Sequence, residues 1–72
     1  MNMNREVWEG WTVQKFINEL EPQLEIIMSG QSWKKPLSGR DELETWLKDN
    51  QPYYKKIIPE VRDYFCRKYR LC

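Results

Sequence analysis

The sequence predicts an all-α domain, a small three-helix bundle, and three observations carry that expectation. Apolar residues recur at three- and four-residue spacing through three segments. Capping residues, prolines or a glycine stand where those segments should start or stop. The two segments that could pair as strands, 6–11 and 31–35, do not alternate apolar and polar side chains over the four or more positions that mark a strand. At 72 residues the chain makes one domain, with a compact core and no room for a second.

Residues 1–10 show little periodicity and read as an N-terminal tail before a single domain at 11–72, although Val7 and Trp8 could lie against it. Thr12 suits the N-cap of the first helix, and Trp11 can meet Phe16 across the first turn as a hydrophobic staple. Val13, Phe16, Ile17, Leu20, Leu24, Ile27 and Met28 then line one face over 12–28. Gly30 suits the left-handed position that ends a helix. Pro22 falls on the opposite, polar face, and the apolar phase runs through it unbroken. One helix bent toward its core is therefore expected rather than two.

Gln31 to Leu37 connects to a second helix, 39–49. Ser38 is read as its cap, with Asp41 three residues on and Asp41, Glu42 and Glu44 complementing the positive end of the helix dipole. Leu43, Trp46 and Leu47 form its apolar stripe. A third helix is expected over 52–70, with Pro52 as its first residue. Its face is Tyr54, Ile57, Ile58, Val61, Phe65 and Tyr69. Pro59 again lands on the polar side, so the bundle is expected to carry two solvent-face proline kinks. The alternative is an α+β fold in which 6–11 pairs with 31–35 as two short strands.

Composition excludes much chemistry. The chain has no histidine and two cysteines, which removes His-dependent triads, His/Cys zinc sites and imidazole pH switches. Cys66 and Cys72 are six apart. On one helix their Cα atoms would stand roughly 9 Å from each other, so both are expected as reduced thiols. The glycines are isolated and make no phosphate-binding loop. No enzyme, cofactor, metal or small-molecule substrate is expected. No apolar run reaches the roughly 20 residues that cross a bilayer, and the polar start is no signal peptide, so a cytoplasmic setting without a membrane partner is expected.

Two surfaces could recognise a macromolecule. Residues 1–50 hold six basic and nine acidic side chains, net −3, whereas 51–72 hold six basic and two acidic, net +4. Tyr53, Lys55, Lys56, Arg62, Arg67 and Arg70 would gather cations and a flat ring on the third helix, a candidate nucleic-acid face. The short Asn50-Gln51-Pro52 turn before it resembles the spacing of a helix-turn-helix reader. Four tryptophans are a high load for this length, and only Trp46 has a clear core position. Trp8, Ile26, Trp33 and Tyr53 form a candidate protein-docking patch, unless Trp33 folds over one end of the bundle as a lid. The favoured function is a small binding or adaptor domain acting on a protein partner or on itself. DNA or RNA binding through the third helix is the alternative.

Overall fold

The computed structural model describes residues 3–31, 33–50 and 56–72, and they form three helices and a short two-stranded antiparallel sheet. In chain order these are β1 (Glu6–Trp8), β2 (Trp11–Thr12), α1 (Val13–Met28), α2 (Arg40–Asn50) and α3 (Pro59–Lys68). The helical expectation is met in number, but the fold is mixed rather than purely helical. None of the described helices is long and apolar enough to cross a membrane.

The segment expected as a tail is a hairpin. Glu6 pairs with Thr12 and Trp8 with Trp11, with an irregularity in register between the two pairs. Glu9 and Gly10 make the turn, where Gly10 adopts φ +70° and its N–H donates to the Glu6 carboxylate at 3.0 Å. The expected alternative had 31–35 as the partner, but no described residue of that stretch is in a strand. Strands of two and three residues are too short to show alternation, which is why β1 and β2 leave no trace in the pattern.

The hairpin has a second role at the start of α1. A helix leaves its first N–H groups without intrahelical partners. Here Val13 N–H donates to Arg5 C=O at 3.0 Å and Gln14 N–H to Met3 C=O at 2.9 Å. The Thr12 hydroxyl accepts from Lys15 N–H at 3.2 Å, and the Trp11 and Phe16 rings stand 4.8 Å apart. The predicted cap and staple are thus joined by a backbone cap that the sequence pattern does not reveal.

Six residues of α1 are buried, Val13, Phe16, Ile17, Leu20, Leu24 and Ile27, and exposed Pro22 sits within the uninterrupted helix. At its C-terminal end Gly30 takes φ +79°. Gly30 N–H reaches Ile27 C=O and Gln31 N–H reaches Ile26 C=O, at 3.3 and 3.2 Å. That pair of bonds is a Schellman motif, and it fixes the direction of the following connection. Leu37 then packs half-buried against the core. In α2, Leu43 N–H donates to Gly39 C=O, so the cap falls one residue later than expected. The Ser38 hydroxyl donates to Glu42 at the third helical position instead of capping toward Asp41.

The third helix is corrected most. Residues 56–58 are not helical and α3 begins at Pro59, so Pro59 is the first helical residue and not an interior kink. Ile58 precedes it in extended geometry and is buried at the core. Pro52 and Tyr54 lie outside the described residues. From α3, Val61, Phe65 and Cys66 are buried, and the helix packs against both α1 and α2.

The cysteines are also corrected: Cys66 and Cys72 form a disulfide with Cα atoms 5.2 Å apart. The helix stops at Lys68, and Arg70 adopts φ +56°, the left-handed position that glycine fills after α1. Leu71 N–H then bonds Cys66 C=O at 2.9 Å, and the Leu71 side chain is buried. This second chain reversal turns Cys72 back toward Cys66. The 9 Å expectation held only for a helix continued to residue 72.

Arg5 joins hairpin to α3 through both oxygens of Glu60, one at 2.8 Å from Nη2. That hydrogen-bonded guanidinium holds the Glu60 carboxyl below its ordinary range. A carboxylate with a depressed pKa in the folded state stabilises above its unfolded pKa, and the benefit is lost as pH falls through the folded one. Both groups are partly exposed, so the pair is worth at most about 1 kcal/mol. Melting curves of the wild type and Glu60→Gln should therefore differ slightly near neutral pH and converge once the pH has fallen below the ordinary glutamate range. A gap that stays constant into acid would count against this tie.

Candidate functional site

The expected basic face does not assemble as one surface. Tyr53 and Lys55 lie outside the described residues, and Lys56 precedes α3 rather than riding on it. Arg62 is turned against α2, 3.5 Å from Glu44, and also meets Asp63 at 3.3 Å. Lys68 pairs with Glu21 of α1, to which the Tyr64 hydroxyl also donates at 3.0 Å. The Glu21 carboxylate raises the Lys68 ammonium above its ordinary pKa. Burial, followed by the charge of Glu21, does the same to the nearby Tyr69 hydroxyl. Arg67 and Arg70 are exposed and make no ion pair among the described residues.

The expected helix-turn-helix geometry is not seen among the described residues either. The Gln51-Pro52 turn and the opening of the expected reading helix lie outside the described residues; of the rest, 56–58 are not helical and α3 starts only at Pro59. Among the described residues, charge sits in cross-helix pairs and at the C-terminal end of α3 rather than along a stripe aligned for a phosphate backbone.

The aromatic residues behave differently. Trp33 is 90% exposed, so it is no lid. Its indole lies under the Lys34 ammonium, 5.6 Å from the ring centroid. Ile26, 49% exposed, is on the last turn of α1. The Schellman bond joins its carbonyl to Gln31 N–H, two residues before Trp33. These two residues share one end of the molecule. Trp8 is on the hairpin at the opposite end of α1, roughly 20 Å away by helical rise. Trp11 is half-buried beneath the Lys15 ammonium. The predicted patch thus divides, with Ile26 at one end of α1 and Trp33 on the connection that leaves that end, Trp8 at the other end, and Tyr53 outside the described residues.

One feature of this surface escapes sequence reasoning. Leu37, Asp41, Glu42, Thr45, Trp46 and Asp49 line an open groove of about 390 Å³ along α2. Leu37 and the nearly buried Trp46 make its apolar floor, and the three carboxylates form its rim. Asp41, Thr45 and Asp49 recur every four residues on one side of the helix. That spacing was a usable signal, but the same acidic residues also satisfy the helix dipole.

The chain matches no protein-family model, and no curated protein or solved structure shows significant similarity to it. Function must therefore be argued from the surface itself.

Proposed function

We propose that this chain is a small non-enzymatic binding domain that docks on protein, with Trp33 as its anchor. The observation that carries the proposal is the 90% exposure of that indole on a connection whose origin is fixed by the turn after α1. Trp is among the strongest hot-spot residues because a rigid ring removes much apolar area from water at low entropic cost. Exposed Ile26 extends the apolar area, while Lys34 and Lys35 favour a partner that offers carboxylates.

Nucleic-acid binding draws less support, because Arg62 and Lys68 are already engaged by Glu44, Asp63 and Glu21. The cytoplasmic setting loses one of its supports as well. It rested partly on free thiols, and a closed Cys66–Cys72 bond is characteristic of an oxidising environment.

Display selection of peptides on the full chain tests this reading. The expected ligands combine an apolar residue with carboxylates, and Trp33→Ala weakens them at least tenfold while the melting temperature stays the same. Amide NMR titration with mixed-sequence duplex and single-stranded DNA provides the opposing result. Salt-sensitive shifts confined to Lys56, Arg67 and Arg70, with no Trp33-dependent peptide, would overturn the docking role.

A further inference from the structure

We propose that the occupant of the α2 groove is Trp33 of a second copy of this chain, exchanged reciprocally in a two-fold dimer. The inference rests on the docking reading above and names the partner. The groove asks for an apolar group followed by positive charge: its floor is Leu37 and Trp46, its rim Asp41, Glu42 and Asp49. At about 390 Å³ it lies within the range of clefts that enclose an organic group. The sequence Trp33-Lys34-Lys35 supplies both requirements in order.

The groove and the group that fits it lie on the same molecule without meeting. Trp33 stands four residues before Leu37, yet its ring remains 90% exposed. Pro36 disfavours helical geometry at Lys35, and Trp33 and Lys34 before it lie in a bend. The indole is presented to solvent and is not part of the lining of its own groove.

Each copy thus carries both a giver and a taker, Trp33 and the α2 groove, as an isologous contact needs. Under a two-fold axis, each Trp33 enters the other copy's groove and each Lys34-Lys35 pair meets the opposite carboxylates. Both joints form at once, and the contact closes without leading to a chain of copies. The area is small, so the dimer belongs with weak assemblies, weakened further by added salt.

Sedimentation equilibrium of the full chain over about 10 μM to 1 mM, at low salt, reads the result. The wild type should move from monomer toward dimer mass, and Trp33→Ala should remain monomeric while melting normally. Charge reversal supplies the decisive comparison. A Lys34→Glu/Lys35→Glu variant and an Asp41→Lys/Asp49→Lys variant should each be monomeric alone, because like charges meet at both joints. Mixed together they should dimerise, because both joints then join opposite charges. A wild type that stays monomeric throughout, a Trp33→Ala protein that still dimerises, or a mixture that does not pair would each overturn the proposal. If the wild type is monomeric but selected peptides still require Trp33, the docking role stands and only the second copy falls. If neither is seen, both fall.

Discussion

Phe65→Ala is expected to cost about 3–5 kcal/mol, the range for removing a fully buried phenylalanine. Phe65 is 0% exposed, lies on the helix that packs against both others, and is flanked by Tyr64 and Tyr69 with ring centroids at 5.3 and 6.3 Å. Its removal deletes the transfer free energy of the ring and leaves a cavity that the two flanking helices cannot both close. A domain of this length has a total stability of only about 4–11 kcal/mol. The variant should therefore lose a large part of it and show a much lower urea midpoint by circular dichroism. A loss below about 1 kcal/mol would mean that the core is centred elsewhere.

Opening the disulfide is expected to have the second largest effect. By chain entropy, a cross-link across a separation of six residues contributes about 2 kcal/mol. In a domain this small that corresponds to a fall of roughly 10 °C in Tm. The loss should be concentrated at the end of α3, because the bond holds Arg70 in its left-handed conformation and Leu71 in the core. Scanning calorimetry with and without reductant measures it, with thiol alkylation and mass spectrometry to confirm the redox state. Equal Tm values for the oxidised and fully reduced proteins would contradict this account.

Phe65 and the disulfide also show where sequence reading succeeds and where it stops. Phe65 was legible as core because a three- and four-residue period is produced by the helix itself, and the same holds for Leu20, Leu24, Leu43 and Leu47. The disulfide was not, because its geometry depends on a single left-handed residue, and arginine is not the residue type that signals one. Pro59 was misread for a related reason. Ile57 and Ile58 fall on the same arc of a helical wheel whether or not the backbone there is helical, since burial rather than conformation selected them. The hairpin carried no pattern at all, and its role became visible only in the bonds from Val13 and Gln14 to Arg5 and Met3.

The candidate site divides in the same way. Exposure of Trp33 follows from the connection after α1, which has no period, so the sequence left both lid and anchor open and leaned toward the lid. The acidic rim was read as a local answer to the dipole of α2. Its meaning changes once Leu37, four residues upstream of Asp41, is seen to share the groove. The described part of the basic face is broken up in a way that a helical wheel cannot show, because the wheel treats each helix alone, whereas Glu21 and Glu44 reach across from other helices.

The position of α3 bears on the order in which this molecule can assemble. Alone, α1 carries six apolar side chains with nothing to cover them, and α2 carries three. Both meet their main helical partner only when α3 docks, and the Arg5–Glu60 tie spans 55 positions of chain. Such distant closures must be formed at an entropic cost before burial rewards them. On the ribosome, a nascent chain ending at Asn50 would thus hold two sticky amphipathic helices and no stable nucleus. Folding would wait for Phe65 to emerge and then proceed as a single cooperative step.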